Sequence, residues 1–143
     1  MSARAALGCA LMWLAACADF EAPARVILPD VVVATPSFST DVQPIFTARC
    51  ATASCHNFAT HQLDLNLAPG YSYDEIVNVQ SIFRPAAKRI APFNVDSSFL
   101  VQTLFADATR HPEIARMPLG REPLTDNQIL TIINWVVQGA RRN

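Results

Sequence analysis

Cys50-Ala51-Thr52-Ala53-Ser54-Cys55-His56 sets two thiols and an imidazole within one short run of small residues. Two thiols can add across the two vinyl groups of a haem to give thioethers. The imidazole beside the second thiol can then bind the iron from one face of the ring. The attachment signature for that chemistry is C-x-x-C-H. Here four residues separate the cysteines, so the match is to a widened form. Two other uses of the same side chains stay open. A Cys50–Cys55 disulfide would close a very short loop, with a correspondingly small chain-entropy gain. A zinc site would add His61, but adjacent Cys55 and His56 would have to turn onto one tetrahedral ion at a spacing unlike the usual finger patterns.

Working outward, the N-terminal run decides which cysteines matter. Arg4 precedes Ala5 to Ala16, an uncharged and mostly apolar stretch that reads as an export signal over residues 1–16. It is shorter than the roughly 20 residues a membrane-spanning helix needs. The leader ends in Leu14-Ala15-Ala16-Cys17, which resembles a bacterial lipobox. Cys17 would then be diacylated and become the mature N-terminus, and acyl chains at about 0.8 kcal/mol per buried CH₂ would hold the product on a bilayer. The expected location is the periplasmic side of a bacterial membrane, with Asp19 leaning toward the outer membrane by the same resemblance. Ala16-Cys17-Ala18 also fits ordinary cleavage after Ala18, which would give a soluble periplasmic protein. With Cys9 and Cys17 assigned to the leader, only Cys50 and Cys55 of the four cysteines belong to the exported domain. Thiols in an oxidising compartment need a purpose.

Residues 17–37 carry Pro23, Pro29 and Pro36 around two β-branched clusters, Val26-Ile27-Leu28 and Val31-Val32-Val33. Prolines at that density discourage a helix, so this segment is expected as an extended tether. The clusters could also lay a short strand against the domain surface. A chain of 143 residues suits a single domain, here 38–143. Eleven basic against twelve acidic side chains, with no basic block, give no footprint for nucleic acid.

The domain reads as helical. Thr40 and Gln43 form a capping-box pattern, and Pro44 is tolerated in a first turn, so a helix should start there and deliver Cys50 at its C-terminal end. Val42, Ile45 and Phe46, with Arg49, mark one side of it. Leu63, Leu65 and Leu67 alternate with polar residues, predicting an extended segment before Pro69-Gly70. Ser72 to Glu75 is a second capping box, opening a short helix to about Asn78. Ser81 to Asn94 is irregular and basic, with Arg84, Lys88 and Arg89, and predicts a loop. Asp96, Ser97 or Ser98 can cap a third helix carrying Phe99, Leu100, Thr103 and Leu104 and ending near Asp107. Thr125 and Gln128 form the clearest box, followed by Ile129, Ile132, Ile133 and Val136 at i, i+3, i+4 and i+7. Arg141 and Arg142 would then sit at the negative end of that helix.

Haem iron has two axial positions, so a partner for His56 is needed. Met1 and Met12 lie in the leader, which leaves Met117 as the one thioether of the mature domain. It stands in Arg116-Met117-Pro118-Leu119-Gly120, a loop in which Pro118 restricts the backbone before it. Met117 could instead simply fill a core gap. His111 is the rival ligand; His61 lies too near His56 in sequence to reach the opposite face readily.

With Cys50, Cys55, His56 and Met117 placed, the chain from Phe38 to Ala140 resembles the class I monohaem c-type cytochromes. It looks closest to exported bacterial members that open like Ser39-Thr40-Asp41-Val42-Gln43-Pro44-Ile45-Phe46. Those members close like Met117-Pro118-Leu119-Gly120, then Leu124-Thr125 and Ile133-Asn134-Trp135-Val136-Val137-Gln138-Gly139-Ala140. The resemblance implies an all-α fold whose N- and C-terminal helices cross around one covalent haem c, with Phe46 and Trp135 near the crossing. It implies thioethers from Cys50 and Cys55, and iron held by His56 and Met117. It also implies a carbonyl, sought near Pro69, accepting from the remaining imidazole N–H, with Arg84, Lys88 and Arg89 as candidate propionate partners. The expected function is one-electron transfer to and from redox proteins, a carrier rather than an enzyme. A haem peroxidase or gas-binding sensor with a displaceable distal ligand, and a non-haem lipoprotein braced by a disulfide, are the alternatives.

Overall fold

A computed structural model of the chain describes residues 30–106 and 112–143. The leader, the Cys17 lipid site, residues 17–29 of the tether and His111 lie outside the described residues. Among the described residues the architecture is all-α. A π-helical turn, Phe38–Val42, runs directly into α1, Gln43–Arg49; a 3₁₀ turn follows at Gln62–Asp64, then α2, Ser72–Ile76, α3, Phe99–Phe105, and α4, Asp126–Val137. Strand pairing is limited to isolated bridges such as Val77 with Ile90. No helix among the described residues is long and apolar enough to cross a membrane.

The first helical segment starts before the Thr40–Gln43 box predicts, because Phe38 is a buried anchor and the free N–H groups of the turn are met from far away. Asn143 Oδ1 accepts from the Phe38 amide at 2.8 Å, and the Asn143 main-chain oxygen accepts from the Ser39 amide at 2.9 Å and from Ser37 Oγ at 2.8 Å. These are the orphan donors that a helix start must satisfy. Gln43 is thereby released to reach across to the Leu67 carbonyl. The Ser72–Glu75 box is likewise not formed: Tyr71 is the cap, and buried Ser72 donates its hydroxyl to Gln43 Oε1. On α4 the box forms as predicted, Thr125 Oγ1 accepting from the Gln128 amide while Gln128 Oε1 accepts from the Thr125 amide.

Ile129, Ile132, Trp135 and Val136 turn one face of α4 into the core, where Val42, Ile45 and Phe46 of the first helical segment meet them. Phe38 lies between, its ring 5.1 Å from both Trp135 and Tyr73 and 6.4 Å from Phe46. Phe46 and Trp135 thus share one aromatic cluster, which ties α2 to both terminal helices.

One segment differs from its sequence reading, and another is more ordered than its irregularity suggests. Leu63, Leu65 and Leu67 do not alternate: Leu63 is exposed, Leu67 is buried, and the 3₁₀ turn puts Leu63 and Asp64 at φ of 61° and 52°. Residues 81–94 are irregular, as expected, but not solvated throughout. Ile90 is fully buried, its amide donates to the Ile76 carbonyl and its carbonyl accepts from the Asn78 amide, while Phe99 and Leu100 donate to Lys88 and Arg89. Backbone bonds, which carry no side-chain pattern, order this stretch.

The segment before α1 lies along α4, held by side chains rather than by sheet pairing. Asn127 Nδ2 donates to the Asp30 carbonyl, Thr131 Oγ1 accepts from the Val33 amide, Asn134 Nδ2 donates to the Val33 carbonyl and Gln138 Nε2 donates to the Ala34 carbonyl. Those four residues recur at helical spacing beside the apolar face. Just beyond α4, Gly139 turns the chain at a φ of 99°, and a Cβ there would come within 2.5 Å of the Phe93 ring. Arg142 therefore folds back onto Asp74 and the Tyr73 ring, 4.6 Å away, rather than onto the end of α4.

Candidate functional site

α1 delivers Cys50 at its C-terminal cap, where the Cys50 and Ala51 amides both donate to the Phe46 carbonyl, at 2.9 and 2.8 Å. The four-residue spacer then folds as a tight turn, the Cys55 amide donating to the Thr52 carbonyl at 3.1 Å with Ser54 at φ of 65°. From that turn the His56 amide returns to the Cys50 carbonyl at 3.1 Å. In C-x-x-C-H the histidine follows the first cysteine by four residues, the separation at which an α-helical N–H meets a C=O. The widened motif makes the same closure with its extra residues looped out.

The His56 ring is oriented by main chain. Nδ1 lies 3.1 Å from the Gln62 carbonyl and 3.3 Å from the Leu65 carbonyl, so this nitrogen carries the proton and donates. Nε2 is thereby the unprotonated nitrogen, the one able to bind a metal. The accepting carbonyls come from the 3₁₀ turn and its exit rather than from Pro69. Burial holds the imidazole below its usual pKa; the Leu65 and Gln62 carbonyls oppose that, and the Arg89 charge adds to it. Both cysteines are free thiols. Burial pushes Cys50 up to about 12, slightly offset by Arg49 and reinforced by Cys55.

Met117 is half-buried against the same core cluster that receives Cys50, Ala51 and Leu65. Its amide donates to the Thr103 carbonyl of α3 at 2.9 Å, which fixes the loop to that helix. Leu119, two residues further along the loop, is exposed. Between the end of α1 and this loop lies a cleft of about 310 Å³ lined by Ala48, Arg49, Pro118, Arg121 and Glu122. Arg49 bridges the two sides, donating to the Glu122 and Pro123 carbonyls at 2.7 and 2.9 Å.

The other sequence candidates are engaged elsewhere. His61 is exposed, with Nδ1 3.1 Å from the Phe58 carbonyl. Among the described residues no three of His, Cys, Asp or Glu are grouped to hold a metal ion, so Cys50, Cys55, His56 and His61 do not form the zinc cluster. Arg84 bonds Gln102 and pairs with Glu113, Lys88 bonds Asn78, and Arg89 bonds Glu75 and the Asp64 carbonyl. The carbonyls of Gln62, Leu65 and Thr103 carry no signal in the sequence, since a main-chain acceptor is independent of residue type.

The residues present fit a covalently held haem in their chemistry: two free thiols, an imidazole with Nε2 unprotonated, and a thioether on a braced loop. Within the spacer, Thr52 Oγ1 is buried and, among the described residues, the one buried side-chain nitrogen or oxygen without a hydrogen-bond partner. Such a group calls for a further contact. Comparison of the chain with family models, with curated proteins and with solved structures gives no match.

Proposed function

We propose that this chain is a one-electron carrier of the class I c-type cytochrome kind, with one haem c attached through Cys50 and Cys55. The observation that carries the reading is the closure of the widened motif. The His56 amide returns to the Cys50 carbonyl, while the ring is held by two carbonyls through Nδ1. That arrangement presents Nε2 as a ligand and keeps the imidazole orientation independent of any bound group. Met117, braced through Thr103, would be the second side chain to hold the iron. The haem iron would supply the chemistry, cycling between ferric and ferrous states. The chain's own part is to orient the imidazole and to hold the methionine loop against α3. With His and Met both bound, the iron keeps no open position for substrate, which makes a carrier rather than a peroxidase or gas sensor. The carrier would be tethered through Cys17 on the periplasmic side of a bacterial membrane, exchanging electrons with redox proteins.

Expression of the full chain with a haem-attachment system tests this directly. Intact mass should rise by one haem, and a pyridine haemochrome spectrum should report two thioethers. Met117→Ala should remove the sulfur-to-iron charge-transfer band of the ferric protein and lower its potential. A chain without added mass would overturn the reading; a high-spin wild type that binds CO readily would turn it toward the sensor or peroxidase.

A further inference from the structure

Arg89 lies in the stretch whose sequence reads as a solvated basic loop, yet its side chain is only 11% exposed. Its main chain is fixed on both sides: the amide donates to Val79 at 2.7 Å and the carbonyl accepts from Leu100 at 3.0 Å. The guanidinium forks. Nη1 donates to the Glu75 carbonyl at 2.9 Å and to Glu75 Oε2 at 3.1 Å, and Nη2 donates to the Asp64 carbonyl at 2.9 Å. Asp64 sits between Gln62 and Leu65, whose carbonyls hold His56 Nδ1. Leu63 and Asp64 are both left-handed, a conformation unfavourable for a non-glycine residue, so local preference alone does not keep this turn in shape.

We propose that Arg89 is the positioning residue of the His56 imidazole. Through the Asp64 carbonyl it clamps to α2 the turn whose Gln62 and Leu65 carbonyls orient the ring, and it places a fixed positive charge behind that turn. Arg suits the task because its planar fork reaches several acceptors at once, whereas an ammonium is a point charge. On the reading of His56 as an iron ligand, the clamp sets the ligand's orientation, and the charge disfavours the extra positive charge of ferric iron. Glu75, facing Arg89 from α2, offsets part of that charge.

Three variants of the full chain separate these effects: Arg89→Gln, Arg89→Lys and Glu75→Gln. The midpoint potential and the ferric electron paramagnetic resonance g-values are read on the haem-loaded protein. The His56 tautomer is read by ¹⁵N NMR on the haem-free chain. Arg89→Gln should favour the ferric form at least threefold, about 30 mV at 59 mV per tenfold for one electron, and should shift the g-values. Arg89→Lys should shift the g-values while keeping the potential within threefold of wild type. Glu75→Gln, which leaves both carbonyl contacts in place, should move the potential the opposite way, and it serves if the Arg89 variants do not fold. Unchanged g-values and potential in folded Arg89→Gln, or a Glu75→Gln shift of the same sign, overturn the proposal. A wild type that takes up no haem overturns the carrier reading instead. The tautomer measurement then decides the clamp alone, an unchanged Nδ1–H population in Arg89→Gln overturning it.

Discussion

A thiol carried toward the core at the end of a helix is a poor nucleophile until something draws it out. For Cys50, burial lifts the pKa from 9.0 to about 12, and the thiolate is the reactive form. At pH 8 the folded, haem-free chain should therefore alkylate at Cys50 about 10³-fold more slowly than the urea-unfolded chain, by mass-spectrometric peptide mapping. The same shift has a stability consequence with a definite sign. A pKa higher in the folded state gives a contribution fully present below pH 9 and lost as pH rises from 9 toward 12. Urea midpoints of the wild type should fall over that window, and those of Cys50→Ala should fall less. At this scale the sequence is informative about side-chain chemistry: the candidates Cys50, Cys55, His56 and Met117 are picked out by residue type and spacing. Their supports were not readable, because Gln62, Leu65 and Thr103 act through main-chain oxygens that any residue could supply.

Among the helices, legibility follows how local the determinants are. α4 could be read from Thr125 to its apolar face because its cap, its box partner and its periodicity all lie within the element. The start of the first helical segment could not be read, since Asn143 meets its amides from 105 residues away. The polar stripe of α4 was also silent. Asn127, Thr131, Asn134 and Gln138 look like an ordinary solvated flank, yet they hold the 30–34 segment by its backbone. Thr131→Val keeps the shape and removes the acceptor for the Val33 amide, leaving that partly buried donor unpaired. It should cost about 1 kcal/mol in urea unfolding, at the lower end for a lost partner. It should also expose residues 30–34 to limited proteolysis while the α4 helicity stays unchanged. Full resistance to cleavage in the variant would show that the stripe is not what holds the segment.

At the scale of the whole molecule, the described residues are all-α, while the stretch between α2 and α3 shows where periodicity stops being informative. Ile90 is buried between segments ordered by isolated bridges and backbone hydrogen bonds, and no window of side chains announces that. The aromatic cluster of Phe38, Phe46, Tyr73 and Trp135 then joins both terminal helices to α2, so the core has one centre rather than several. The seam made by Asn143 against Ser37, Phe38 and Ser39 has a consequence for how this molecule opens. The two stretches that would otherwise fray separately are bonded to each other, so neither can loosen alone. Amide hydrogen exchange at Phe38 and Ser39 should proceed with the same opening free energy as at Ala140, whose amide donates to the Trp135 carbonyl. Asn143→Ala removes the Oδ1 acceptor of the Phe38 amide and keeps the main-chain bonds to Ser37 and Ser39, so Phe38 should exchange faster while Ser39 keeps its protection.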